Sequence, residues 1–190
     1  MALSGLTTGT AFARNGTTIK DTLTVIHERK SVRNFTGEAV DKVQLETIVR
    51  AGMAAPTAVN KQPWSFVIIS DRAQMDKLTA VLPYAKMLAK AGAAIVVCAE
   101  PKRAYEEKTE FAIIDASLAG ENILLAAEAL NLGSVWTAAY PDPDLMAHVR
   151  NALGIPADVI PLAVMPVGHP TGEDKPKNKY NKDKIHWSRW

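Results

Sequence analysis

Three cations and a hydroxyl group fall within five positions of the sequence, at Arg29, Lys30, Ser31 and Arg33. Basic residues at the C-terminus of a helix complement the helix dipole, which accounts for Arg29 and Lys30. It does not account for Arg33, which lies beyond the helix predicted there. The same residue types suit a phosphate monoester, because arginine donates through a planar fork and serine adds a neutral donor. From spacing alone, a helix terminus and a phosphate site both stay open.

A second candidate segment, AAPTAVNKQPW, covers residues 54–64. Proline and asparagine are favoured in tight turns, so a turn before a strand is one interpretation. That interpretation leaves Asn60, Lys61 and Gln62 unexplained, since their amide and ammonium groups are held between two prolines. Amides on a rigid loop can recognise the donor and acceptor edge of a planar heterocycle.

Several other kinds of site find no support in the sequence. There is no P-loop, no G-x-G-x-x-G, no H-E-x-x-H and no G-x-S-x-G motif. The four histidines are far apart along the chain, so we expect no metal site. The single cysteine, Cys98, lies in the apolar run AAIVVCA, and we interpret it as a core residue rather than a nucleophile.

Length and composition predict one domain, or one domain with an arm. The chain has 190 residues, of which 47% are hydrophobic, enough for a sizeable core. Its net charge is +2 and its basic residues form no stripe, so we expect no nucleic-acid partner. Residues 1–20 lack the apolar core of a secretory signal and are predicted to be a flexible leader. No apolar stretch approaches the roughly 20 residues that span a bilayer, and one cysteine suggests a reducing compartment, so we expect a cytoplasmic protein with no membrane partner.

The hydrophobic pattern alternates between helical and strand periods. Helices are predicted over residues 22–29, 41–53, 71–90 with an interruption at Pro83, 109–132 and 142–153. Strands are predicted over residues 64–70, 93–99, 134–138 and 160–167. Strands separated by helices indicate an α/β or α+β domain, in which helices pack on a sheet.

The tail, residues 171–190, is polar but contains Ile185, Trp187 and Trp190. A disordered tail rarely carries two tryptophans. We therefore expect the tail to dock on another surface, such as a second subunit.

In their order along the chain, these segments resemble the FMN-dependent nitroreductase family over about residues 22–190. The matching motifs are R-K-S-V-R-N-F, A-P-T-x-x-N-x-Q-P-W-x-F, E-N-I-L-L-A-A-x-A-L, L-G-S-V-W-T, and P-V-G-H-P before a lysine-rich tail that ends in tryptophan. The resemblance implies an α+β fold with a central, mostly antiparallel sheet flanked by helices. It also implies an intertwined homodimer, in which residues 21–170 bind FMN and residues 171–190 form an exchanged C-terminal arm on the partner subunit.

The resemblance assigns roles to individual residues. Arg29, Lys30 and Ser31 would bind the flavin phosphate and ribityl chain, and Arg33 would be the cation near N1 and O2. A cation there is reasonable, because reduction can leave negative charge at N1. A loop from the partner subunit would contribute Pro56, Thr57, Ala58, Asn60 and Gln62. Backbone over the flavin, with an amide near N5, would come from Thr137, Ala138 and Ala139. Two cations of the tail, Lys177 and Lys179, would bind the phosphate.

The sequence departs from the family pattern at four of these positions. Lys30 and Lys179 replace frequent arginines, and lysine supplies charge without a planar fork. Thr57 replaces a frequent serine. Ala139 replaces a frequent glycine, and we expect its amide to stay available. The helix over residues 109–132 is implied to form the dimer interface, and we interpret Trp136 and Trp187 as packing residues.

The implied function is an FMN-dependent oxidoreductase. It would take hydride from NADH or NADPH and reduce nitroaromatic, quinone or related small acceptors in ping-pong order, with no catalytic side chain because flavin N5 carries the chemistry. Two alternatives stay open. One is a specialised flavin enzyme of the same fold, performing dehalogenation or flavin fragmentation. The other is a non-enzymatic flavin-binding or regulatory protein.

Overall fold

The computed structural model describes residues 20–190, so residues 1–19 of the predicted leader lie outside the described residues. Five α-helices occur in this range: α1 (Thr22–Glu28), α2 (Lys42–Gly52), α3 (Arg72–Val81), α4 (Thr109–Ala129) and α5 (Pro143–Leu153). Short 3-10 turns occur at Ala58–Asn60, Lys86–Ala89, Pro101–Arg103, Tyr105–Glu107 and Lys182–Lys184. The predicted interruption at Pro83 is confirmed, because α3 stops before it and a 3-10 turn follows.

An aspartate caps the N-terminus of four helices. Asp21, Asp41, Asp71 and Asp142 each accept a hydrogen bond from a backbone N–H in the first turn of the helix that follows. Such a carboxylate satisfies an amide that has no partner inside the helix. The caps fix where α1, α2, α3 and α5 begin.

The sheet is antiparallel throughout. Its strands are β1 (Trp64–Ile69), β2 (Ala93–Ala99), β3 (Gly133–Ser134), β4 (Thr137–Ala138) and β5 (Ile160–Gly168). The order is β1-β2-β5-β3, and β4 also pairs with β5. All four strand pairs are antiparallel, which confirms the predicted α+β class with a central antiparallel sheet.

Helices cover both faces of the sheet because β2 is apolar on both sides. Ile95 and Val97 belong to the core cluster that includes α2 and α4 residues. Val96 and Cys98 alternate with them and belong to the second cluster, with residues of α3 and α5. A strand with period-2 alternation thus joins two cores. Every residue of β2 is buried.

The predicted strand over residues 134–138 is interrupted. Ser134 of β3 pairs with Val167 and Thr137 of β4 pairs with Val164, so both short strands lie on β5 with the ladder broken between them. At the break, Trp136 packs against α4: a Cβ added to Gly120 would lie 2.3 Å from its indole ring. Trp136 is therefore a packing residue, as predicted.

The fold brings the end of α1 to the edge of the sheet and to the start of the tail. Ser31 forms an isolated parallel bridge with Ser134, and Phe35 forms an antiparallel bridge with Pro170. Residues 29–33, which we call the basic segment, therefore run between β3 and the tail. Within residues 20–190, no helix combines the length and apolar character needed to cross a membrane.

Candidate functional site

A basic cavity of about 520 Å³ lies between the basic segment and the start of the tail. Six of its ten lining residues are lysine or arginine, and two are acids. The lining residues are Arg29, Lys30, Ser31, Arg33, Glu173, Asp174, Lys175, Pro176, Lys177 and Lys179. The structure therefore brings the four predicted ligands of the basic segment together with both predicted tail lysines. A cavity with this excess of cations suits an anion such as a phosphate monoester.

The basic segment is hydrogen-bonded to the sheet at Val32, its one apolar residue. Val32 is 1% exposed, and its N–H donates to the Ser134 carbonyl at 3.0 Å. The polar side chains on either side of Val32 therefore stay outside the core. The Ser134 hydroxyl is buried and has no hydrogen-bond partner among the described residues, an unusual state for a core polar group.

Two cations of the cavity form ion pairs with acids on α4. Arg29 Nε lies 3.1 Å from Glu121 Oε1. Lys30 Nζ donates to both oxygens of Glu128, at 2.9 and 3.2 Å, and Lys20 Nζ donates to the same carboxylate at 2.7 Å. Glu128 is only 5% exposed, so two lysines compensate a buried charge. Lys30 therefore shares its ammonium between Glu128 and the cavity.

Asp174 attaches the tail to the basic segment. Its Oδ2 accepts hydrogen bonds from the N–H of Arg33 at 3.0 Å, the N–H of Asn34 at 3.0 Å and Nδ2 of Asn34 at 3.3 Å. Partial burial acts to raise the pKa of this carboxyl, but the donors outweigh burial and hold the pKa below its ordinary value. Asp174 is therefore an ionised acceptor at neutral pH.

The predicted heterocycle loop, residues 56–62, has strained backbone. Val59, Asn60 and Gln62 have φ of 43°, 59° and 51°. Asparagine tolerates this left-handed region, but β-branched valine rarely adopts it, and such strain persists only where surrounding contacts impose it. None of the loop residues is among those lining the basic cavity of the same chain.

Anchors on and beneath the loop fix its shape. The Ala58 N–H lies 3.2 Å from Asp115 Oδ1 and 3.3 Å from Oδ2. Asp115 lies on α4 and is 3% exposed; burial raises the pKa of its carboxyl, while the Ala58 N–H acts in the opposite direction. Gln62 donates from its N–H to Thr57 Oγ1 and from Nε2 to Asn60 Oδ1. The loop is thus a shaped surface that presents exposed amides.

The third predicted group of ligands lies on β4 and directly after it. The Ala139 N–H donates to the Leu162 carbonyl at 2.8 Å. The expectation that this amide stays available is therefore wrong in this structure, because the sheet already satisfies it. Ala138 is exposed, while Thr137 and Ala139 are buried.

Cys98 is a core residue, as predicted. It is 1% exposed, and burial raises the pKa of its thiol to about 12. At neutral pH the thiol is protonated and is a poor nucleophile. Among residues 20–190, no group of three or more histidine, cysteine or acidic side chains is placed to hold a metal ion.

We expect Cys98→Ala to retain turnover, because no chemistry is assigned to this thiol. The comparison to make is kcat/KM of the variant and the wild type at equal cofactor occupancy, with circular dichroism as the control for folding. A folded, cofactor-loaded variant that has lost activity would contradict the assignment of Cys98 to the core alone.

Residues that the sequence analysis did not single out complete this site. Glu121 and Glu128 bind two cations of the basic segment, Asp115 binds the loop, and Asp174 joins the tail to the N–H groups of Arg33 and Asn34. Glu128 did carry a signal in the sequence, because an acid inside the apolar run ILLAAEAL must either face solvent or find a cation. The partners of Asp115 and Asp174 are distant in sequence and leave no such local pattern.

A family model, a relative in sequence and a solved structure all indicate the same family. The family model described as the nitroreductase family matches residues 26–82 and 79–169. A relative from Archaeoglobus fulgidus, whose assignment as an NADH dehydrogenase/NAD(P)H nitroreductase is itself inferred, is 37% identical and covers 90% of this chain and 100% of its own. A Bacteroides thetaiotaomicron structure with the same inferred assignment is 45% identical, with a TM-score of 0.83, covering 89% of this chain and 98% of that one.

A further solved structure, from Desulfovibrio desulfuricans, is described as a nitroreductase in complex with FMN, an assignment that is likewise inferred. It is 27% identical, with a TM-score of 0.77, and covers 90% of this chain and 98% of that one. The family model spans well over half of the sequence, and the solved relatives share the fold over nearly all of the described residues. This chain belongs to the nitroreductase family.

Proposed function

We propose that this protein is an FMN-dependent oxidoreductase that takes hydride from NADH or NADPH and passes electrons to a small acceptor, such as a nitroaromatic compound or a quinone. The basic cavity carries this proposal. Its cations come from the two segments that the family resemblance assigns to the flavin phosphate. The FMN complex of the Desulfovibrio desulfuricans relative and the NAD(P)H nitroreductase assignment of the Archaeoglobus fulgidus relative support it. We place the protein in the cytoplasm, where a buried, unpaired cysteine is ordinary.

The donor set of the cavity fits the phosphate group of FMN. Arg29 forms an ion pair with Glu121 through Nε. Its Nη groups donate no hydrogen bond to any of the described residues, so they are available to an anion. Lys177 and Lys179 are exposed and make no ion pair within the described part of the chain. Ser31 adds a neutral hydroxyl donor on the same wall. Charge-assisted bonds of this kind are the strong ones in phosphate recognition.

The protein's own part in the reaction is binding, orientation and electrostatics. When bound, FMN supplies hydride acceptance at N5 and electron transfer onward. Arg29, Lys30, Ser31, Lys177 and Lys179 would hold the phosphate and ribityl end. Thr137 and Ala138, beside β5, would support the ring, and the Ala139 N–H would keep its bond to Leu162. No residue of the chain needs to donate or accept a proton for hydride transfer.

Arg33 would act on the pyrimidine edge of the ring, so we expect Arg33→Ala to lower the midpoint potential of the bound flavin. The reason is that a nearby cation stabilises the negative charge that reduction leaves at N1. The measurement is an equilibrium redox titration, with Lys175→Ala as the control that removes one cation from the same cavity. A midpoint potential equal to that of the wild type would contradict the placement of Arg33.

The active form would be a homodimer, with residues 21–170 as the flavin domain and residues 171–190 as an exchanged arm. Trp187 and Trp190 are 86% and 99% exposed on the isolated chain, and Ile114 and Leu118 of α4 are 54% and 42% exposed. Two exposed tryptophans on an arm and an apolar stripe on the longest helix are typical of surfaces buried by a partner. In the dimer, Trp187 would pack against the second copy.

The strained loop would complete the flavin site across this dimer. Residues 56–62 do not line the basic cavity of their own chain, and their amides are exposed. If the loop of one subunit reaches the partner's site, the partner's loop reaches the first subunit's site as well, because every contact in a two-fold interface is made twice. Pro56, Thr57, Ala58, Asn60 and Gln62 would then meet the ring of a flavin whose phosphate the partner holds.

Steady-state kinetics test the proposed reaction. We expect nucleotide oxidation that requires FMN and an acceptor, with parallel lines in double-reciprocal plots for ping-pong order. The panel should contain nitroaromatics, quinones, enones and haloaromatics, each with NADH and with NADPH. Activity on haloaromatics alone would favour the specialised flavin enzyme over the broad reductase. Tight FMN binding without turnover of any acceptor would favour a flavin-binding or regulatory protein.

A further inference from the structure

Asp174 is an acid in a cavity suited to an anion. It lines the basic cavity with six cations, yet its carboxylate does not pair with any of their side chains within salt-bridge distance among the described residues. Instead its Oδ2 binds the backbone N–H groups of Arg33 and Asn34 and the side-chain amide of Asn34. By Coulomb attraction and repulsion alone, an acid here weakens the binding of a phosphate.

Asp174 is also the last point at which the described tail is hydrogen-bonded to the body of the chain. Before it, the Thr171 N–H donates to the Asn34 carbonyl at 3.0 Å. After it, every hydrogen bond between a tail residue and another of residues 20–190 stays within the tail, as in Lys175 Nζ to the Gly172 carbonyl. Asp174 is partly buried, whereas residues 175–190 are exposed.

Lys177 follows Asp174 by three residues and Lys179 by five, so the position of both lysines depends on where Asp174 is held. Both lysines line the basic cavity, and both also line a neighbouring cavity of about 560 Å³ with Arg29. If Asp174 did not hold the start of the tail, the tail would have to become ordered each time these lysines bind an anion. The conformational entropy lost in that ordering would weaken the binding.

We propose that Asp174 is a positioning residue, which closes the start of the tail onto the basic segment and so holds Lys177 and Lys179 in the phosphate site. This inference rests on the proposed function. It makes a prediction opposite in sign to simple charge repulsion, because removing this acid weakens phosphate binding instead of strengthening it. The residue acts through the two lysines and does not itself touch the anion.

The test is titration of the FMN-free protein with FMN and, separately, with riboflavin, which lacks the phosphate. We expect Asp174→Ala to weaken FMN binding roughly tenfold, as expected when a segment must be ordered on binding, and to change riboflavin binding little. Asp174→Asn keeps an acceptor oxygen but not the negative charge, so its affinity for FMN should lie between those of Asp174→Ala and the wild type. The expected signature is thus a reduced preference for FMN over riboflavin.

Glu173→Ala is the matched control. Glu173 is the neighbouring residue, lines the same cavity and carries the same charge, but its carboxylate binds only the Thr171 hydroxyl within the tail. Its replacement should leave FMN binding unchanged or make it tighter. Asp174→Ala should also speed tryptic cleavage after Lys177 and Lys179 in the FMN-free protein, and Glu173→Ala should not.

Three outcomes would overturn the inference. Asp174→Ala could bind FMN as tightly as the wild type or more tightly, which would make the carboxylate a repelling charge only. It could lose FMN and riboflavin binding equally, which would make its role structural. If Asp174→Ala does not fold, Asp174→Asn decides: FMN binding and tail cleavage equal to those of the wild type would contradict the weaker binding expected of Asp174→Asn and would overturn the positioning role. Failure of the wild type to bind FMN is a different result, which would remove the proposed function itself.

Discussion

Arg29→Ala is expected to weaken FMN binding roughly 10- to 150-fold, which corresponds to losing about 1.5–3 kcal/mol of charge-assisted hydrogen bonding. Arg29 follows α1 directly; its Nε lies 3.1 Å from Glu121 Oε1, and neither of its Nη groups donates a hydrogen bond to any of residues 20–190. The variant should therefore be purified largely free of flavin. The measurement is the dissociation constant from fluorescence quenching of FMN.

Two further variants separate the phosphate contact from other effects of this substitution. Arg29→Lys keeps the charge but not the planar fork, so its affinity should lie between those of the wild type and Arg29→Ala. Glu121→Gln removes the acid that binds Arg29, and FMN binding should be retained or improved. If Arg29→Ala keeps full flavin occupancy after extensive dialysis, the assignment of Arg29 to the phosphate is wrong.

A mixed dimer should recover about half of the wild-type activity when one chain carries Arg29→Ala and the other carries Asn60→Gly. Each substitution alone is expected to disable both sites of its homodimer. In the mixed dimer, one site receives both defects and the other receives neither, because a two-fold interface repeats every contact. Glycine is chosen because Asn60 has φ of 59°, a conformation that glycine adopts without strain.

The mixed dimer distinguishes a loop from the partner subunit from a loop of the same chain. If residues 56–62 served their own chain's flavin, each site would keep one defect and no activity would return. The measurement requires two different affinity tags and a check that the chains have not exchanged, since re-formed homodimers would hide the gain. A mixed dimer that holds flavin in one of its two sites and is inactive would contradict the shared site and leave the flavin assignment intact.

Local chemistry explains why much of the fold can be predicted from the sequence. The helix starts at residues 22, 42 and 143 follow aspartates whose side chains can bind the first amides, and β2 is bounded as predicted at Ala93 and Ala99. That the basic segment and the tail lysines meet was implied by the resemblance to the nitroreductase family and not by local chemistry. The structure places both groups on the lining of one cavity, and their role in binding a phosphate stays a prediction.

What the sequence did not reveal depends on contacts between distant residues. Lys30 meets Glu128 across 98 positions, and Arg33 meets Asp174 across 141. No local periodicity predicts such a pair, because each partner is an ordinary charged residue in its own segment. The same holds for the Ala139 amide: its bond to Leu162 depends on how β5 passes the end of β4. Val59 in left-handed backbone is likewise imposed by the loop's anchors rather than by its own preference.

The central claim is that the basic cavity holds a flavin that a nicotinamide nucleotide can reduce. It is tested most directly by adding NADH or NADPH, without oxygen, to protein reconstituted with FMN. The account predicts one FMN per chain and loss of the yellow flavin absorbance on addition of one equivalent of at least one nucleotide, with the colour returning when an acceptor is added. A protein that binds FMN but keeps its colour with both nucleotides, while dithionite bleaches it, would contradict the claim.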